Sequence, residues 1–283
     1  MYSIPTDTPS RDFALCWQSA GLHLETLAEK AARILSLELL MLPPGHEDHA
    51  CIWLKNELRP PFLEHLSFRL GNQLFFIRIE DMENRLDVPG TRHGLQRIAD
   101  ACMGHACLMP MLKRSGQWVP ASSDWGLVSI PETKVLPPHP DAYGLHIALR
   151  HGLPINPPSL VTSEKIEMTD WELQDFAVQI VRNNLPADKV MSWNVDPDVA
   201  PSLWFVGDQG PEWAIIKAVR YPANDASLPH NVDQIARSCS PLSRRGNFAV
   251  VSMAAAGDTF EPLPLYRGHE MLVSYQGMRK LAI

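Results

Sequence analysis

The stretch "GNQLFFIRIEDMENRLDVPGTRHGLQRIADAC", residues 71–102, returns in outline as "GPEWAIIKAVRYPANDASLPHNVDQIARSC", residues 210–239. Each opens with a glycine turn and enters an apolar strand that carries one basic residue at the same place, Arg78 or Lys217. A Pro-containing loop follows, then a helix. The two helical segments, "HGLQRIADAC" and "HNVDQIARSC", share His, Ile, Ala and Cys at matched positions.

The match extends both ways. Downstream, "GHACLMPM" (104–111) and "GNFAVVSM" (246–253) read as equivalent strands. Continued without a gap, it sets Trp118, Pro120 and Gly126 against Phe260, Pro262 and Gly268. Upstream, "HACIWLKNEL" (49–58) aligns with "FAVQIVRNNL" (176–185), which predicts a helix in both places. Two copies make a tandem pair rather than a solenoid, which needs more repeats to bury a continuous core.

The second copy spells its elements out as "DWELQDFAVQIVRNNL" (helix), "KVMSWNV", "SLWFVG", "WAIIKAVRY", "NVDQIARSC" (helix), "NFAVVSMA" and "MLVSY". Val, Ile, Trp and Phe dominate the strands, as half-buried sheet positions prefer. Asp170 and Glu172 open the first helix, where negative charge suits the helix dipole.

The expected fold class is therefore α/β (α+β). Two tandem diverged copies of an α-β-β-β-α-β unit are expected, each a central mixed sheet flanked by helices, plus an N-terminal helix. Residues 1–44 hold that helix, amphipathic over 10–35 through Phe13, Trp17, Ala20, Leu24, Leu27, Ala31 and Ile34, with Ser10 as cap. Residues 45–130 form the first repeat and 169–283 the second. The joint, 131–168, carries seven prolines, which block helix and central strand. Within it "DAYGLHIALRHG" (141–152) predicts a short helix.

Composition narrows the function. Of 283 residues, 45% are apolar and 20% charged, an ordinary globular balance. The formal charge of −7 opposes non-specific nucleic-acid binding but leaves room for a local basic cleft. The start lacks a basic, then apolar, leader, and no apolar run is long enough to span a bilayer, so a cytoplasmic chain with no membrane partner is expected. Five scattered cysteines read as buried reduced thiols rather than a disulfide framework.

The order α-β-β-β-α-β, with a basic residue on the third strand, resembles the core of the PD-(D/E)xK nuclease-like family. That resemblance implies a first acid after a proline, and a second acid two residues before a lysine, so that both point to one side of the sheet. The acids hold a divalent metal and the lysine helps position the attacking water. Here Pro201 is followed by Ser202, and "IIK" puts Ile215 where the second acid belongs. "FIR" puts Phe76 there in the first copy. Both copies thus lack the anionic ligands, and no metal or other cofactor is expected.

Other acids offer partial substitutes. Glu212 lies an odd number of residues from Lys217, hence on the other face, and Asp208 lies in a turn. Asp233 could reach back from its helix, which would make Lys217 and Asp233 the catalytic pair of an active enzyme. In the first copy Glu80 gives a reversed "RxE" beside Asp81 and Glu83, a pattern that suggests a solvated turn.

Further candidates are polar clusters. "GHEDHA" (45–50) reads as a loop with Asp48 as a helix cap rather than a metal site. Lys217, Arg220, Arg244 and Arg245 would contact phosphate if they converged. Trp118, Trp125, Tyr266 and Arg267 have the composition of a protein interface.

The expected function is a non-catalytic, bacterial, cytoplasmic binding protein of accessory, adaptor, inhibitor or immunity type, with another protein as partner. The alternative is a nucleic-acid-binding or metal-dependent nuclease-type enzyme using a migrated acid.

Overall fold

The structure, a computed structural model, describes residues 10–39, 51–55, 66–122, 124–130, 152–256 and 263–282. These fall into two compact units that meet in the sequence at Lys165 and Ile166. The family of elements is mixed α and β, with one six-stranded sheet in each unit.

The first unit runs α1 (Arg11–Leu39), β1 (Cys51–Lys55), β2 (Leu66–Leu70), β3 (Gln73–Asp81), α2 (Arg92–Ala101), β4 (His105–Arg114), β5 (Gln117–Pro120) and β6 (Val128–Ser129). The second runs α3 (Asp170–Asn183), β7 (Val190–Trp193), β8 (Leu203–Gly207), β9 (Gly210–Arg220), α4 (Val232–Cys239), β10 (Gly246–Ala255), β11 (Met271–Tyr275) and β12 (Arg279–Lys280).

Both sheets follow one plan. The order β1-β2-β3-β4-β5, with β6 also on β4, is matched by β7-β8-β9-β10-β11, with β12 also on β10. In each, the third and fourth strands are parallel and every other pair antiparallel. Register agrees as well. Arg78 lies beside Leu108 and Lys217 beside Val250, the positions that the sequence match pairs. The first pair of strands is irregular in both, between Trp53 and Lys55 and between Val190 and Ser192.

Strand alternation gives each sheet two apolar faces. In the second unit Ala214, Ile216, Ala249, Val251 and Met253 pack under Leu173, Ala177, Val178 and Val181 of α3. Trp213, Ile215 and Phe248 meet Ile235 and Cys239 of α4 on the other side. In the first unit Phe75, Ile77, Ile79, Cys107, Met109 and Met111 pack with Phe13, Trp17, Ala20, Leu24 and Ala28 of α1. The helix α1 is thus the counterpart of α3, packed on its own sheet.

Thr169 and Glu172 start α3 with a reciprocal capping box, which satisfies two otherwise orphaned backbone N–H groups. Ser10 does the simpler job for α1, accepting from the Phe13 N–H at 3.1 Å.

Four sequence expectations need correction. Residues 51–55 form strand β1, paired with β2, where a helix over 49–58 was expected. The apolar spacing there is short enough to serve either period, and pairing with β2 decides it. The stripe of α1 leaves Ile34 exposed and includes Cys16 and Ala28, which were not expected in it. The gap-free match beyond residue 253 fails. Met111 pairs with Pro120 and Met253 with Val273, so Val273, not Pro262, is the equivalent of Pro120. The joint is not a free linker at its described end, because Ile155, Leu160 and Val161 pack on the first core. Residues 40–50, including the "GHEDHA" cluster, and the body of the expected helix at 141–151 lie outside the described residues.

Candidate functional site

The strand that would carry the chemistry, β9, puts Ile215 and Lys217 on the face covered by α4. Ile215 is fully buried among Trp204, Trp213, Ile235, Cys239 and Phe248. Burying such a side chain contributes about 1.5–3 kcal/mol, whereas an ionised acid there would be desolvated without a partner. Phe76 occupies the same place on β3 and is also buried.

The equivalent glycines Gly104 and Gly246 allow this packing. A Cβ on Gly104 would come within 2.8 Å of the Phe76 ring, and one on Gly246 within 2.5 Å of Trp213. Both units therefore fill this position with aromatic and aliphatic packing.

Ser202, which follows Pro201, is buried and its hydroxyl accepts the Ile216 N–H at 3.2 Å. Gln174 of α3 continues the same edge. Its side-chain amide donates to the Ile216 carbonyl at 2.8 Å and its oxygen accepts the Ala218 N–H at 3.2 Å. The paired part of β8 ends opposite Ala214, so these two side chains replace the missing strand. Neither role was anticipated. Gln174 gives no local signal, because its partners lie more than forty residues away.

The basic residues take separate paths. Lys217 is half-buried, and its ammonium has no hydrogen bond or ion pair among the described residues. Arg78 instead donates to the Val88 carbonyl at 3.0 Å and to the Pro89 carbonyl, and lies 3.7 Å from Glu80. Arg220 falls on the α3 face, where it pairs with Glu167 at 3.0 Å and reaches Asp170 at 3.5 Å.

Arg244 and Arg245 are exposed, just before β10 and level with Trp213. Four strand residues separate that level from Lys217, about 13 Å. The four cations expected to share a phosphate site therefore do not converge. Asp233 is exposed in the first turn of α4, and no group of three His, Cys, Asp or Glu able to hold a metal occurs among the described residues.

The acids near β9 and β3 are structural. Glu212 is buried and accepts from Asn247 at 2.9 Å. Glu80 receives two bonds from Arg92, at 2.7 and 2.5 Å, and this pairing raises the Arg92 pKa. Asp81 was expected in a solvated turn, yet it is buried. Burial alone would raise its pKa. The backbone N–H groups of Glu83 and Arg85, the Arg85 guanidinium and the Leu86 N–H outweigh that and hold the pKa below the ordinary carboxylate value.

Three of the four expected interface residues are also internal. Trp118 and Trp125 are buried in the first core under α1. Arg267 is buried in an ion pair with Glu172, two bonds at 2.8 and 2.9 Å. Tyr266 is half-buried against His269, ring centres 5.7 Å apart. Aromatic and arginine content suits an interface and a core equally, and the α1 cover over Trp118 was not visible in the sequence.

On the Lys217 face lies a cleft of about 300 Å³ lined by Asn224, Asp225, Phe248, Val250, Ser274 and Arg279, among others. The Arg279 guanidinium sits 4.8 Å above the Phe248 ring and 3.4 Å from Asp225. Lys217 stands in the ladder beside Val250, which lines the cleft.

A family model described as a domain of unknown function (DUF8840) matches residues 171–281, nearly all of the second unit. No curated protein matches the chain. No solved structure matches it either. No helix among the described residues is long and apolar enough to cross a membrane.

Proposed function

We propose that this chain is a non-catalytic binding protein, an accessory, adaptor, inhibitor or immunity-type factor that engages another protein. It would use two copies of a nuclease-like sheet unit as scaffold. The observation that carries this reading is the packing of Ile215 and Phe76 at equivalent positions, where a metal-dependent nuclease would need an acid.

Lys217 supports the same reading from the other side. It stands in the ladder beside Val250, a residue of the cleft, with no carboxylate paired to it among the described residues. A lysine so placed suits an acidic side chain of a partner protein seated over Val250.

The test has two arms. Purified protein with Mg²⁺ or Mn²⁺ is expected to leave DNA and RNA uncut, and Lys217→Ala to change nothing. Cleavage that Lys217→Ala abolishes would overturn the proposal. In the native host, a stoichiometric partner captured by the wild type is expected to bind Lys217→Glu about tenfold more weakly or worse, as loss of a charge-paired contact implies.

A further inference from the structure

The two sheets share a plan but differ at one edge. In the first unit the edge strand β5 is closed off. The Ala121 N–H bonds to Pro110, so alternation turns Trp118 and Pro120 outward. The outward Trp118 carbonyl accepts the Ser19 hydroxyl of α1 at 2.6 Å. Pro120 has no N–H to offer. An edge so treated is protected against strand addition.

The equivalent edge in the second unit, β11, has none of these devices among the described residues. The Ala256 N–H bonds to the Glu270 carbonyl, so Leu272 and Ser274 face β10 and Met271, Val273 and Tyr275 face outward. Their outward backbone groups have no hydrogen-bond partner among the described residues. Leu272 is 59% exposed and Val273 44% exposed. Val273 stands where the first unit has Pro120.

We infer that β11 pairs with β11 of a second copy of this chain, antiparallel and centred on Val273. The occupant follows from the edge's own sequence. "MLVSY" carries no charge, so it can face itself without repulsion. A two-fold axis at Val273 sets Leu272 against Ser274, Met271 against Tyr275, and Glu270 against the neutral Gln276. No like charges meet. Val273 faces itself as a hydrogen-bonded pair, and the outward groups of residues 271, 273 and 275 make about six inter-strand bonds.

Sedimentation of the full-length protein at about 50 µM, above the micromolar range of weak specific contacts, is expected to give twice the 31.7 kDa chain mass. Val273→Pro transplants the first unit's device. The Val273 N–H is not used within the sheet, so proline is tolerated at this edge, and the mass is expected to fall to one chain.

Val273→Cys adds a second readout. Self-paired Cα atoms lie about 5.5 Å apart, inside the roughly 4.4–6.8 Å that a disulfide spans. Oxidation is then expected to link two chains through residue 273, and Leu272→Cys, which faces Ser274, to link far less. A monomeric wild type, or a dimer that Val273→Pro leaves intact, overturns the inference. If Val273→Pro fails to fold, absence of the Val273→Cys cross-link overturns it.

Discussion

Gln174 stands in for a strand at Ile216: its side-chain amide donates to the Ile216 carbonyl at 2.8 Å from the adjoining helix. Its oxygen takes the Ala218 N–H, and both contacts lie where β8 has ended. One side chain thus closes a gap in the ladder that water cannot reach.

Gln174→Leu keeps the volume and removes both bonds. The buried Ile216 carbonyl, at roughly 1–3 kcal/mol, and the half-buried Ala218 N–H, at the low end of that range, then lose their partners, so a loss of about 2–4 kcal/mol is expected. Urea unfolding of the wild type and the variant measures it.

Arg267 and Glu172 form a fully enclosed pair, and Glu172 also belongs to the cap of α3. Arg267→Met alone is expected to cost about 3–5 kcal/mol, because it strands a buried carboxylate. Adding Glu172→Leu is expected to recover much of that loss, less the share of the capping box. A double-mutant cycle by equilibrium unfolding tests the recovery.

Asp81 makes stability depend on acid pH. Its folded pKa lies below the unfolded value, so the stabilisation is present above the unfolded value of about 3.9 and is lost as pH falls through the folded one. Asp81→Asn is expected to cost about 1–3 kcal/mol at neutral pH, since its NH₂ cannot accept from Arg85 and Leu86. The gap between the two proteins is expected to close in strong acid, as followed by thermal melts across pH.

The thiols should be inert in the folded protein. Burial pushes Cys16 and Cys107 up to about 12 and Cys239 up to about 11, far from the thiolate form at neutral pH. Alkylation followed by peptide mapping is expected to leave all three unmodified until the chain is unfolded. Labelling of Cys107 in native protein would contradict the packing described.

The second unit was largely legible in its sequence. Strands at 189–195, 202–207 and 213–221 were expected, and Val190–Trp193, Leu203–Gly207 and Gly210–Arg220 are found. Dense β-branched and aromatic runs between glycine and proline turns leave few alternatives there. The segment at 49–58 was misread because its apolar residues fit a helix, and only pairing with β2 makes it a strand. Arg267 was misread for a related reason, since its partner Glu172 lies 95 residues away. Long-range pairing of this kind leaves no trace in local spacing.

Arg78 and Lys217 share one position in the common plan, but only the first is tied into its own fold, through the carbonyls of the 88–89 loop. A change at Arg78 should surface as lost protein abundance, whereas a change at Lys217 should leave abundance alone. One position of the common plan thus anchors a loop in the first unit and, among the described residues, anchors nothing in the second.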